Sequence, residues 1–275
     1  MKGDLLRLSL TERHELNLED GLVESKDRPT RAKFLQIAFK KDWQFSYRDN
    51  EYSYISSGSD GLYVYGAIGK RIVKQHFSPP EDGLRPIDVG YWEKSIFILN
   101  IAEDQQVAFI EQNNEVGSGV ALTIALSSHI NRYAGPNEYK IDAFVLPKKN
   151  GFWDAVNNCH KPITELSFSY VVPNMLFNGA ESARDCLRSL KERINAKNVD
   201  VKIRNPDGIR LDDDEIRSSV EYVEGGAGVA KAKSGKHVVY SSDQQAEQVV
   251  ISDEVKEKLN SGESPVIDIE GKIKR

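Results

Sequence analysis

The sequence predicts an α+β protein: a mainly antiparallel β domain over residues 1–150, an α/β module of order βαβαββ(β) over 151–251, and a tail over 252–275. Three observations lead there. Between Arg31 and Gln112 aromatic and β-branched residues alternate with polar ones, the two-residue period of a strand with one buried face. After Ser167 that period alternates with apolar residues at helical spacing. Between the two regions, Pro147-Lys148-Lys149-Asn150-Gly151 followed by FWDAV reads as a junction, with Phe152 and Trp153 wedged between the parts.

In the first domain the strands are expected at FLQIAF, WQFSY, EYSYIS, LYVYGA, RIVKQ, SIFILNI and VAFIEQ. Asp49-Asn50, the Ser56–Gly61 cluster and Gly69 are the expected turns of a meandering antiparallel sheet. Residues Phe77 to Gly90 contain Pro79, Pro80 and Pro86 and are expected to form a surface loop. A helix follows over Ser118 to Tyr133, with Ala121, Leu122, Ile124 and Ala125 on its buried side, ended by Ala134-Gly135-Pro136. YKIDAFVLP returns to strand.

The module opens with a strand at Ser167–Val172. A helix carrying Ala183, Leu187, Leu190 and Ile194 on one stripe comes next, then a strand at Val199–Arg204 whose Asp200, Lys202 and Arg204 share a solvated face. A strand, helix and strand of these lengths suit a right-handed crossover, so the two strands are expected to be parallel. Asn205-Pro206-Asp207-Gly208 is a turn, and a second helix starts at Asp212–Glu215 and closes at Gly225-Gly226. A hairpin about Ser234-Gly235 and a further edge at Ala246–Ile251 complete the module. The tail has one amphipathic piece, DEVKEKL, and is expected to be mobile or to dock on a partner.

A net charge of −5 gives no global attraction to nucleic acid or to an anionic membrane, so such binding requires a local patch. Charges interrupt MKGDLLRLSLTERHE before a signal-length apolar run develops, and no membrane-length apolar run occurs. A cytoplasmic protein without membrane contact is the expectation. Two cysteines, Cys159 and Cys186, are too few for a disulfide scaffold and lack zinc-site spacing.

Several arrangements suggest chemistry and fail on context. Arg71 and His76 have the R-x4-H spacing of helical ribonucleases but sit in a β-branched segment. Asp200-Val201-Lys202 has the acid-x-lysine spacing of a restriction-type nuclease, and Glu165 is the best available second acid for an Mg²⁺ ion. Asp185, by contrast, falls in mid-helix. Asp212 to Glu215 suit a helix start. The glycines before Lys236 miss the P-loop spacing, Gly117-Ser118-Gly119 is only part of a dinucleotide fingerprint, and Cys159-His160 are adjacent without a nucleophile elbow.

The basic residues remain. Arg184, Arg188 and Lys191 share one helix face, Lys202 and Arg204 a strand face, and Lys231 and Lys233 another. Such a surface can hold phosphates, or be a solvated face paired internally to Glu181, Asp185 and Glu192.

The string from FWDAV through ITELSFSYVVPN, LRSLKERINAKNVDVKIRNPDG, the EGGAG turn and VVYSSD resembles a poorly described bacterial family of unknown function, associated with mobile elements and phage-defence islands. The likeness is concentrated in the second domain, and its motifs are structural. It implies a bacterial protein acting on or sensing nucleic acid. The expected function is thus a non-enzymatic nucleic-acid-binding or sensing subunit of a multi-component anti-phage system, without cofactor and with a protein partner or a second copy. The alternative is a metal-dependent nuclease using Asp200 and Lys202 with Glu165.

Overall fold

Ile96, Phe97, Ile98 and Leu99 are consecutive in one strand and all fully or almost fully buried, so both faces of that strand are shielded from water. This fact organises the first part of the molecule. The computed structural model describes residues 1–13, 15–17, 21–23, 28–133, 138–171, 198–261, 263, 269 and 271–273.

The strands of the first part are β1 (Lys2–Glu12), β2 (Glu15–Asn17), β3 (Gly21–Val23), β4 (Trp43–Tyr47), β5 (Asn50–Asp60), β6 (Tyr63–Phe77), β7 (Pro86–Asn100), β8 (Val107–Glu111) and β9 (Tyr139–Val145). A late strand, β14 (Gln248–Val250), joins them. The sheet runs β14-β1-β8-β7-β6-β5-β4, with β9 also on β1, and curls into an antiparallel half-barrel; β2 and β3 pair separately. Helices α1 (Arg31–Phe39) and α2 (Gly119–Tyr133) cover one face, where Phe34, Leu35, Phe39, Leu122, Leu126 and Ile130 meet Leu6, Val64, Phe97 and Ile110. The other face, with Leu5, Tyr65, Ile98 and Phe109, is covered from the C-terminal end of the chain by Val255, Ile269 and Ile273.

The second part contains α3 (Gly151–Asn157), β10 (Glu165–Val171), β11 (Asn198–Arg204), α4 (Asp214–Glu224), β12 (Gly228–Ser234) and β13 (His237–Ser241). Its four strands run β11-β10-β12-β13 and every neighbouring pair is antiparallel. Leu166, Phe168 and Tyr170 of β10 face α3 and α4, where they contact Phe152, Val156, Ile216, Val220 and Tyr222. The side chain of Asp213 accepts the backbone N–H of Glu215 at 2.9 Å and caps α4. Gly226, at φ +82°, makes the left-handed turn after it, where an added Cβ would lie 2.8 Å from Arg7 Cβ.

Five expectations are corrected. FLQIAF is helical: Thr30 caps Lys33 N at 3.2 Å, and Phe34, Leu35, Ala38 and Phe39 lie on one buried helical face. The loop assigned to Phe77–Gly90 is shorter, because Pro86 opens β7 opposite Phe77; a proline is tolerated at a strand's first residue. Gly69 pairs with Lys94 within β6 and is no turn. On α2 the buried stripe is Leu122, Leu126 and Ile130, with Ala125 packed against it, and Ile124 is 43% exposed because position 124 is turned about 200° from Leu122, away from the face that i, i+4 and i+8 share. The strands β10 and β11 are antiparallel, with Val171 opposite Asn198, so the 26 residues between them leave and re-enter at one end of the sheet. The helix expected there, with Ala183, Leu187, Leu190 and Ile194, lies outside the described residues.

The C-terminal end also departs from expectation. Residues 248–250 extend the first sheet beside β1 instead of the second. Helix α5 (Asp253–Ser261) packs Val255 on that sheet, Lys256 Nζ lies 2.7 Å from Glu111, and Asn100 donates to the Ile273 carbonyl at 2.9 Å. The tail therefore docks on its own chain. Among the described residues no helix is long and apolar enough to cross a membrane.

Candidate polyanion-binding face

β10 lies between β11 and β12, so each outward side chain on it has a cross-strand neighbour on both sides. Arg204, Glu165 and Lys233 make one row; Lys202, Ser167 and Lys231 the next; Asp200, Ser169 and Val229 the third. The alternation of TELSFSY produces this directly: Leu166, Phe168 and Tyr170 enter the core, and the residues between them face out.

Glu165 is the hub. It accepts a hydrogen bond from Arg204 Nε at 2.7 Å and stands 3.0 Å from Lys233 Nζ and 3.2 Å from Lys202 Nζ. Its side chain is 14% exposed, whereas those of Lys202 and Arg204 are 46% and 66% exposed, so the carboxylate lies beneath a layer of cations. The Arg204 hydrogen bond, then that of Lys233, hold its pKa down at about 2, with a smaller contribution from Lys202, against the opposing effect of partial desolvation. Lys231 stands 3.3 Å from Asp243, which also accepts the Ser241 hydroxyl, and Asp200 accepts that of Ser169. Four cations thus face three carboxylates, and three of the four share one acid.

The acid-x-lysine reading meets a geometric obstacle. Glu165 is opposite Arg204 while Asp200 is opposite Ser169, four positions along β10. At about 3.3 Å per residue that is roughly 13 Å, too far for two ligands of one ion. Lys202 is turned to Glu165. Among the described residues no three of His, Cys, Asp and Glu converge in a metal-holding group.

The other candidates fall into place individually. Arg71 and His76 are on strand β6, as their β-branched context indicates. Asp212 to Glu215 lead into α4. Arg184, Arg188 and Lys191, with Asp185 and Cys186, lie outside the described residues; among the described residues the face gathers Lys202, Arg204, Lys231 and Lys233. Asp243 was not identified from sequence; it comes to Lys231 from a single 3-10 turn after β13, for which the sequence carries no pairing signal.

Hollows also occur among the described residues, a small one of about 250 Å³ lying beside Trp153, Arg217 and Glu221. Another, about 480 Å³, is lined by Asp4, Gln112, Lys148, Asp243, Gln245 and Gln248. A third, about 430 Å³, runs between β4 and α2 past Tyr47, Ala125, His129 and Arg132. In it His129 packs against Trp43 and Tyr133, and burial, followed by the Arg132 charge, lowers its pKa.

No family model, curated protein or solved structure matches this chain.

Proposed function

We propose that the chain is a non-catalytic binding subunit that takes a polyanion, nucleic acid, on the open face of the second sheet. The observation that carries this reading is the convergence of Lys202, Arg204 and Lys233 on the single carboxylate of Glu165. One acid compensates one of the three charges, which leaves net positive charge on the outward side chains of Lys202 and Arg204 for phosphate contacts. Glu165 keeps the three cations gathered in the absence of a ligand. A place in a bacterial multi-component anti-phage system follows from the sequence resemblance alone. The 13 Å or so between Glu165 and Asp200 speaks against the nuclease alternative.

The test is retention of labelled single- and double-stranded DNA and RNA as a function of salt. The variant Lys202→Ala/Arg204→Ala/Lys231→Ala/Lys233→Ala should bind more weakly, with the salt slope reduced by about 1 for each lost phosphate contact. Glu165→Gln should tighten binding by removing the competing anion. Unchanged retention in both variants would overturn the reading. Mg²⁺-dependent cleavage abolished by Asp200→Ala would replace it with the nuclease.

A further inference from the structure

The pairing of β5 to β6 ends at Tyr52 opposite Lys70, and that of β7 to β8 begins at Phe97 opposite Ile110. Beyond Lys70, residues 71–77 and 86–92 pair only with each other among the described residues. They form a two-stranded ribbon that leaves the sheet and turns at 78–85. Two strands alone are marginally stable in water. This ribbon nonetheless exposes Val73, Phe77, Leu84, Ile87, Val89 and Trp92, each 44% to 68% accessible. A concentration of apolar surface of this kind marks an interaction site.

The two sides of the ribbon differ. Opposite residues share a side, so Ile72, Lys74, Tyr91 and Val89 fall together. That side is tied to the body where Lys74 Nζ is 3.4 Å from Glu115, and the same amine lies 5.4 Å from the Tyr91 ring centre across the ribbon. The second side carries Arg71 with Trp92, Val73 with Gly90, Gln75 with Asp88, and Phe77 with Pro86. It is apolar except for Gln75 and two charges of opposite sign on opposite strands. Arg71 and Asp88 have no ion-pair partner among the described residues. They lie one at each side of the Val73–Gly90 level.

We propose that this second side is the contact between two copies of the chain, crossing antiparallel about a two-fold axis at the Val73–Gly90 level. A two-fold contact requires each surface to carry its own complement. That axis brings Arg71 to the level of Asp88 of the partner subunit, and symmetry repeats the pair. Gly90 has no side chain of its own, and the Arg71 guanidinium lies over it, where an added Cβ would come 3.8 Å from Nε and Nη2, so the charge that meets the partner sits next to the crossing. Phe77 then reaches the level of Gly69, over which the Trp92 indole leans, so the aromatic side chains of the two ribbons meet. The face spans about eight residue levels, roughly 26 Å by about 10 Å. This is well below the roughly 800 Å² per partner of a stable interface, so the dimer is weak and concentration-dependent.

The experiment is sedimentation equilibrium of the full chain over a wide concentration range, without nucleic acid, which keeps it independent of polyanion binding. The wild type should pass from monomer to dimer. Arg71→Glu and Asp88→Arg should each weaken self-association at least tenfold, because each places like charges opposite one another. An equimolar mixture of the two variants should restore the dimer. Both substitutions are on exposed positions, and unchanged melting temperatures check that the folds are intact. A wild type that stays monomeric, a dimer that persists in either variant, or a mixture that fails to re-form it would overturn the proposal.

Discussion

Arg204 donates its Nε to a carboxylate oxygen of Glu165 across 2.7 Å, from the position directly opposite it in the β10–β11 pair. The hydrogen bond favours the ionised acid, whose pKa falls from an ordinary 4.5 to about 2. The stability this provides is complete above pH 4.5 and is lost as pH falls through about 2. Glu165→Gln should therefore flatten the pH dependence of stability between those values, measured as urea midpoints across a pH series.

Gly66→Ala should destabilise the protein by about 1–3 kcal/mol. A Cβ there would lie 2.6 Å from the Tyr54 ring, and that ring cannot withdraw: it is fully buried, and its hydroxyl donates to the Phe39 carbonyl at 2.8 Å. Chemical denaturation measures the loss. Tyr54→Phe should cost about 1 kcal/mol through the missing hydrogen bond.

Val255→Ala should cost about 2 kcal/mol, since this side chain is fully buried against the face of the first sheet turned away from α1 and α2. Limited proteolysis should also cut residues 252–275 of the variant faster than those of the wild type. Equal protection in the two proteins would show that Val255 does not hold α5 in place.

His129 should titrate below its ordinary 6.5, because burial in the groove and the Arg132 charge both oppose protonation. Its contribution to stability is present above pH 6.5 and declines as pH falls below it, where the unfolded chain takes up the proton first. Imidazole chemical shifts across a pH series measure this, and Arg132→Gln should move the midpoint upward.

The strand expected from Ser167 lacked Glu165, which the structure adds at its head on the outward face with Ser167 and Ser169, whereas the acidic start of α4 at Asp212–Glu215 and its Gly225-Gly226 closure were legible as local chemistry. FLQIAF was not. Six residues rich in apolar side chains fit a strand or a short helix equally well, and Thr30 with the packing of Phe39 against Phe97 decides for helix. The ribbon was hidden for a related reason: Pro86 is a strand breaker in general and harmless at the one position it holds.

Within a strand or helix of known type, the residues alone fix which side chains share a face, because that depends on a period of two or 3.6 that each segment carries internally. In SIFILNI and VAFIE the alternation expected for one buried face breaks down, and the structure buries both faces there. What covers the second face, which strands run antiparallel, and the meeting of Lys202, Arg204 and Lys233 at Glu165 are settled by long-range packing. Parallel and antiparallel strands share one periodicity, and a cover such as Val255 or Ile273 is selected by packing between residues far apart in the chain, which no local pattern encodes.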